Sequence, residues 1–285
     1  MSKLLIICGP TATGKTALAL HLAKQFNGEL VSADSRQLYK GLDALTGKER
    51  SNDIPIWLYD IIEVGEPFSA HDFVSRANDA ITNIEKRGKL PIAVGGTGFY
   101  LKALTEPIAT LSIPPNALLR KQLAHLSLHE LQVRLEHLDG SRWQRMNASD
   151  RQNPRRLIRA IEVVTAGITP KPRKLLCQTL WIGLTASPRT LKERIEQRVT
   201  ARFHQAIGEV KDGAEPVLGA QLIFSYKQGE ISKQEALRMW TTREYQYAKR
   251  QLTWFAKQKD IRWFDVQNTD YYNEVEAFVA AWYTT

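Results

Sequence analysis

The chain has little sulfur: two cysteines, Cys8 and Cys177, and three methionines in 285 residues. Two distant cysteines build no disulfide framework, which excludes the small stapled secreted class and favours a reducing compartment. Long apolar runs are missing too, since nothing approaches the roughly 20 residues needed to span a bilayer. Lys3 and the five apolar residues after it are too short for a signal peptide, so the cytoplasm is expected. Acidic residues are in deficit, 30 against 39 Lys+Arg, for a net charge of +9 and a pI near 9.5. That balance favours a polyanionic partner. Internal repeats and low-complexity tracts are absent, so solenoid and fibrous classes drop out. Histidines are few. His125 and His129 stand one helical turn apart, but no third ligand accompanies them and no zinc site is expected. Asn147-Ala148-Ser149 fits a glycosylation acceptor, which has no consequence in the cytoplasm. What remains, 43% hydrophobic and 24% charged, is ordinary for a globular protein of one large domain or a domain with an insertion.

The strongest signal is at the start. Leu4-Leu5-Ile6-Ile7-Cys8 reads as a buried strand, and Gly9-Pro10-Thr11-Ala12-Thr13-Gly14-Lys15-Thr16 then fits G-x-x-x-x-G-K-[ST]. Ala17 to Ala23 continues as a helix. Strand, glycine-rich loop and helix together are the context a phosphate-binding P-loop requires. Glycines let consecutive N–H groups turn toward an anion, and the helix N-terminus adds its positive dipole end. Lys15 supplies a point charge and the Thr16 hydroxyl is placed to bind Mg²⁺. The loop specifies a diphosphate or triphosphate, and not the molecule that carries it.

Further along, Leu30 to Ser35 is a short strand ending in a carboxylate, Asp34. Ligands of α/β sheets lie beyond the carboxyl ends of strands, so Asp34 should share the rim with the P-loop. Trp57 to Ile62 reads as another strand. His71 to Arg87 reads as a helix burying Phe73, Ala77, Ala80 and Ile84, with Gly88 as its stop. Leu90 to Val94 is a third strand, followed by Gly95-Gly96-Thr97-Gly98-Phe99-Tyr100. Such β–α alternation predicts an α/β fold with a P-loop NTPase-like parallel sheet flanked by helices.

The texture changes after Pro107. Helical stretches are expected over 116–126 and 128–138, and Asn153-Pro154 is an N-cap and first-turn pair for a helix over 155–165. Pro170 and Pro172 close the block, and Leu180 to Leu184 returns as a strand. Residues 111–178 are therefore expected as an all-helical insertion in a discontinuous core of 1–110 and 179–285. Between Arg142 and Lys174, nine basic residues (Arg142, Arg145, Arg151, Arg155, Arg156, Arg159, Lys171, Arg173 and Lys174) face only Asp150 and Glu162. Leu157, Ile161 and Val164 share the predicted buried face of the 155–165 helix, with Arg155 and Arg159 opposite. A merely solvated face usually mixes signs, so this block points to nucleic acid. Near Leu237 to Lys257 a helix should bury Leu237, Trp240, Ala248, Leu252 and Phe255. It should present Arg243, Arg250 and Lys257 outward beside Tyr247 and Trp254. Cations next to aromatics suit phosphates and stacked bases, or equally aromatics packed under neighbouring loops.

Five motifs together resemble the tRNA dimethylallyltransferase (tRNA isopentenyltransferase) family over nearly the whole chain. They are Gly9 to Thr16, Ser32-Ala33-Asp34-Ser35-Arg36-Gln37-Leu38-Tyr39, Val94 to Tyr100, Asn153 to Val163, and Thr242 to Phe255. The resemblance implies transfer of a dimethylallyl group from dimethylallyl diphosphate to N6 of adenosine 37 of tRNA, with the P-loop holding the prenyl diphosphate. It implies Asp34 as general base, Thr11 as a substrate contact, and Lys15 and Thr16 on the diphosphate with Mg²⁺. Arg198 best matches the arginine that stabilises the leaving group. Asp34, Ser35, Arg36, Gln37, Thr97, Arg120, Arg155, Arg156 and Arg159 correspond to tRNA-contacting positions, and Arg243 and Arg250 extend the basic surface. A monomer acting on the anticodon stem-loop is expected, with no membrane partner. The chain departs from the family pattern in places. Leu45-Thr46-Gly47-Lys48-Glu49 stands where Gly-Thr-Ala-Lys-Pro is common, Ser225 replaces a glycine before Tyr226-Lys227, and Arg202 replaces a methionine.

The residues support the same chemistry on their own. An adenine N6 lone pair is delocalised into the ring, so a positioned carboxylate must take its proton. The departing diphosphate gathers charge that preorganised cations and amides stabilise. Two other enzyme readings share these parts: a P-loop small-molecule kinase, which would consume ATP, and a prenyltransferase acting on free AMP, which would need no basic insertion. In a non-catalytic nucleic-acid binder Lys15 and Asp34 would be idle.

Overall fold

The computed structural model describes residues 2–168, 177–210 and 217–284. Among them six strands form one parallel sheet in the order β3-β2-β4-β1-β5-β6. The strands are β1 (Ser2–Cys8), β2 (Gly28–Ser32), β3 (Ile56–Trp57), β4 (Leu90–Gly95), β5 (Cys177–Thr185) and β6 (Ile261–Asp265). Parallel strands covered on both faces read as continuous apolar runs. That is why Leu4 to Cys8 and Leu90 to Val94 announce themselves in the sequence, and both runs are buried throughout. β1 lies at the centre, with Cys8 level with Gly95 of β4 on one side and Gly183 of β5 on the other. The chain leaves β1 toward β2 on one side and later returns through β5 on the other. The loop after β1 thus sits at a topological switch point, where such sheets open a crevice.

Thirteen α-helices accompany the sheet among the described residues. In the first half these are α1 (Lys15–Gln25), α2 (Asp43–Thr46), α3 (Ala70–Lys86) and α4 (Gly98–Thr105). The short helices α5 (Ala117–Leu123), α6 (Leu128–Leu138), α7 (Gly140–Arg145), α8 (Ala148–Arg151) and α9 (Pro154–Thr165) follow. After β5 come α10 (Pro188–Glu209), α11 (Ala220–Lys227), α12 (Lys233–Phe255) and, beyond β6, α13 (Tyr271–Thr284). One core lies against the sheet, where Leu18, Leu22 and Val275 meet Leu5, Ile92 and Ile182. A second is built by α10 and α12 around Val199, Phe203, Trp240 and Ala248, and takes in Leu42 and Leu45. None of the described helices is long and apolar enough to cross a membrane.

The chain divides into two compact units, one of residues 1–68, 73–105 and 176–285, the other of 69–72 and 106–175. The second unit has its own core of Leu119, Leu123, Leu131, Leu135, Leu157 and Ile161. Its start lies earlier than the expected 111 because residues 109–113 are tied into it. His71 Nδ1 donates to Leu111 O (2.6 Å), and Arg159 Nη2 donates to Thr110 O (2.6 Å) and Ile113 O (2.7 Å).

α3 buries Phe73, Ala77, Ala80 and Ile84 as its periodicity predicts. Elsewhere the structure differs from the sequence expectation. The strand expected over 57–62 ends at Trp57, because Leu58 (φ 69°) and Asp60 (φ 57°) turn the backbone left-handed. The Asp60 carboxylate is claimed by Lys48 (2.7 Å) and Arg50 (2.8 Å). The helix expected over 116–126 is shorter, since Leu126 N already bonds back to Leu123 O in a turn ahead of the Ser127 cap of α6. On α12 the buried stripe runs Ala236, Trp240, Glu244, Ala248, Gln251 and Phe255, while Leu237 and Leu252 are only half-buried. Val164 of α9 is likewise half-buried. Pro170, Lys171, Pro172, Arg173 and Lys174 lie outside the described residues.

Candidate active site

The P-loop is shaped by three residues with positive φ: Gly9 (134°), Ala12 (65°) and Gly14 (82°). Gly9 has a second constraint, since a Cβ there would run into the Leu184 carbonyl of β5. The buried Thr13 hydroxyl donates to Pro10 O (2.9 Å), and Lys15 Nζ donates to the same carbonyl (2.7 Å), so the loop closes on itself. Gly14 begins α1 without a side-chain cap, leaving first-turn amides for an anion. Burial, then the nearby Arg198 cation, lowers the Lys15 pKa to about 8, partly offset by Asp34, Cys8 and Glu49. Burial pushes the Cys8 thiol well above its ordinary range, so Cys8 is inert packing beneath the loop.

Opposite the P-loop, Asp34 follows β2. Ala33 N bonds Val94 O (2.8 Å), which keeps the chain beside β4 for one residue past the strand. Asp34 Oδ1 accepts from Arg36 N (3.0 Å), which fixes the carboxylate in a local turn. Ser35 N donates to Thr97 Oγ1 (2.9 Å), joining this turn to the loop after β4. The Arg36 guanidinium lies over the Tyr247 ring at 3.7 Å, with Glu244 3.8 Å away. Burial, then the Asp34 charge, pushes the Tyr247 phenol up to about 12 and keeps it neutral. Gln37 is turned inward, accepting from Ser32 Oγ (2.9 Å).

From the third side α10 delivers Arg198. Its Nη1 donates to Thr11 Oγ1 (2.7 Å) and its Nη2 to Gly47 O (2.8 Å). Between these walls lies a cavity of about 490 Å³ whose lining includes Lys15, Thr16, Asp34, Glu49, Arg198 and Gln251. Two carboxylates, Asp34 and Glu49, thus share with an anion-binding wall a space large enough for a small substrate pair. No cluster of three His, Cys, Asp or Glu among the described residues could bind a metal alone. A magnesium ion carried by a diphosphate needs less, because it keeps waters and takes one or two protein oxygens. The Thr16 hydroxyl, with the Glu49 carboxylate in the same cavity, fits such an ion.

A family model described as IPP transferase matches residues 37–258. The chain belongs to the IPP transferase family. It is 37% identical over 284 residues to the tRNA dimethylallyltransferase of Anoxybacillus flavithermus, covering 93% of this chain and 90% of that one. The crystal structure of the full-length tRNA isopentenylpyrophosphate transferase from Bacillus halodurans is 31% identical with a TM-score of 0.71, covering 99% and 96% of the two chains. A eukaryotic dimethylallyltransferase acting on tRNA superposes at 0.83 with 25% identity, over 98% of this chain and 78% of that one.

Family membership leaves the remaining predicted positions to be placed. Thr11, Lys15, Thr16, Asp34 and Arg198 meet in the cavity, with Ser35, Arg36 and Thr97 beside it. Arg120, Arg155, Arg156 and Arg159 belong to the second unit. There Glu162, buried, accepts from Arg120 Nε (2.6 Å), Arg159 Nη1 (3.1 Å) and Asn116 N (2.9 Å). Arg156 pairs with Asp150. Arg155 is exposed and has no polar partner among the described residues. On α12, Arg250 is exposed and Arg243 half-buried, while Trp254 packs where a Gly98 side chain would stand.

Sequence reasoning missed Gln251. Its Oε1 accepts from Thr11 N (2.9 Å) and its Nε2 donates to Gly96 O (3.0 Å), so one amide ties the P-loop to the loop after β4. The available signal was its spacing, three residues from Ala248 and four from Phe255 on one helix face.

Proposed function

We propose that the chain transfers a dimethylallyl group from dimethylallyl diphosphate to N6 of adenosine 37, beside the tRNA anticodon, releasing diphosphate. The observation that carries this reading is the single cavity in which the Asp34 carboxylate faces Lys15, Thr16 and Arg198. In the reaction the allylic C–O bond breaks and a C–N bond forms. Asp34 takes the N6 proton, held for that task by the Arg36 amide. Lys15, Arg198 and the uncapped amides of α1 receive the charge that grows on the leaving diphosphate. Thr11, through its hydroxyl, holds the Arg198 guanidinium at the loop. Thr16 would hold Mg²⁺, which when bound supplies further positive charge to the diphosphate oxygens.

The target base has to leave its stack to reach Asp34. Arg36 bonds that carboxylate through its amide, and Ser35, bonded to Thr97, follows it in the chain, so these three are placed to meet the base. Arg155 of the second unit, with Arg243 and Arg250 of α12, supplies contacts to the RNA backbone. Arg120, Arg156 and Arg159 join them with the donors that their carboxylate partners leave free.

Asp34→Asn tests the reading, because the amide keeps size and hydrogen bonding but accepts no proton at neutral pH. Single-turnover prenyl transfer to tRNA, with both substrates saturating, should slow by roughly 10²–10⁴. Doubling magnesium should not restore it. A variant within a few-fold of the parent rate, or one rescued by metal, removes Asp34 as the base. Parallel assays with AMP and ATP should show no product, against the free-nucleotide and kinase alternatives.

A further inference from the structure

Arg198 and Arg202 stand one turn apart on α10, and both reach the same small volume beside Gly47. Arg198 Nη2 donates to Gly47 O (2.8 Å), and Arg202 Nη1 donates to Ala44 O (2.9 Å), so both clamp the short helix α2 and its terminating glycine. Arg202 Nε also donates to the Arg198 main-chain carbonyl (3.1 Å). A Cβ on residue 47 would collide with Arg198 Nη2 and Arg202 Nη1, and would stand 2.8 Å from Arg198 Cζ. Gly47 also sits at φ 65°, the left-handed conformation that ends α2. Glycine thus suits the left-handed backbone, and a side chain in its place would push the two guanidinium ends aside.

Two half-buried cations so close repel each other, and acidic neighbours offset that repulsion at Arg202. Glu244 and Glu209 attract it, and the Trp240 ring lies 5.6 Å away. Burial and the Arg198 charge lower the Arg202 pKa to about 10, so it is a cation at neutral pH. Arg198 spans from Gly47 O to the Thr11 hydroxyl at the cavity wall.

We propose that Arg202 is a positioning residue, which by occupying the space over Gly47 holds the Arg198 guanidinium against the P-loop in the geometry that the departing diphosphate needs. The two sequence departures Gly47 and Arg202 are then one device, since each makes room or use for the other. The proposal rests on the role given to Arg198 above. Arg202→Met keeps most of the side-chain length and removes the head group, leaving a gap into which Arg198 relaxes. Misplacement of a catalytic group by an ångström costs up to a hundredfold in rate.

The test is a double-mutant cycle read by single-turnover prenyl transfer, with KM for dimethylallyl diphosphate measured alongside. Arg202→Met should lower the rate constant about tenfold and change KM less than twofold. In an Arg198→Ala background the same substitution should change the rate less than twofold. A tenfold loss that persists without Arg198 would show that Arg202 only supports the fold, and would overturn the proposal. Arg198→Ala reacting at the parent rate would instead overturn the leaving-group role and the positioning role with it. A second cycle needs no chemistry. Gly47→Ala should lower the melting temperature in the parent and lower it clearly less in Arg202→Met. Equal losses in both would show that the two residues do not share the space, and would also overturn the proposal.

Discussion

Lys15 carries two separate expectations. It faces charge that grows as the allylic bond breaks, so Lys15→Ala should lower kcat by roughly 10²–10³ with an unchanged circular-dichroism spectrum. Its free-enzyme pKa, brought down to about 8 by burial and then Arg198, adds a pH dependence. The cation is the form that binds diphosphate, so the free enzyme must take up a proton on binding above that pH. Affinity for an unreactive dimethylallyl thiolodiphosphate, measured by calorimetry, should therefore fall as pH rises through about 8, approaching tenfold per unit. Lys15→Ala should flatten that profile, and a parent profile flat from 7 to 9.5 would refute the assignment. Lys15, Thr16 and Asp34 were legible in the sequence because a strand, a glycine turn and a helix constrain them locally. Gln251 was not, because its partners Thr11 and Gly96 lie 240 and 155 positions away. A glutamine on a helix has no local mark of being buried.

At the level of elements, periodicity was decisive where one face meets one core, as on α3 and in β1 and β4. It was misleading on α12, where Glu244 and Gln251 are buried for their polar partners and an apolar pattern starts from the wrong residue. It also overran β3, since the backbone turns left-handed at Leu58 and Asp60, where Lys48 and Arg50 from another segment hold the Asp60 carboxylate. α9 shows the same limit for charge. Arg155 and Arg159 look alike on a helical wheel, yet Arg159 bonds Glu162 and two carbonyls while Arg155 faces solvent. The two should separate on mutation. Arg155→Ala should leave the urea midpoint unchanged and reduce the salt slope of tRNA binding by roughly 0.7–0.9. Arg159→Ala should cost about 2 kcal/mol of stability by leaving buried groups short of partners. Equal effects of both on the salt slope, with no loss of stability, would show that Arg159 serves the RNA alone.

For the molecule as a whole, part of the acid resistance should come from a buried carboxylate on β2. Glu29 of β2 accepts from Arg87 (2.6 Å), Lys89 (2.8 Å) and Trp57 (2.9 Å). The Arg87 bonds first, then those from Lys89 and Trp57, hold its carboxyl down to about 2 against burial. A carboxyl with a depressed folded value stabilises fully above its unfolded value near 4.5, and that stability is lost as pH falls from there through about 2. Glu29→Gln should accordingly be less stable at pH 7 by about 2 kcal/mol and should lose less than the parent between pH 5 and 3. Parallel acid titration curves for the two proteins would contradict this. The bridge made by Gln251 has its own consequence, one of timing. In a chain growing from the ribosome the P-loop motif is made more than two hundred residues before the amide that braces Thr11. At about 5–20 residues per second the loop waits upward of ten seconds for its brace. Until then the nascent enzyme carries its phosphate motif without the tie that joins it to the loop beside Asp34, and a product truncated before α12 would never acquire it.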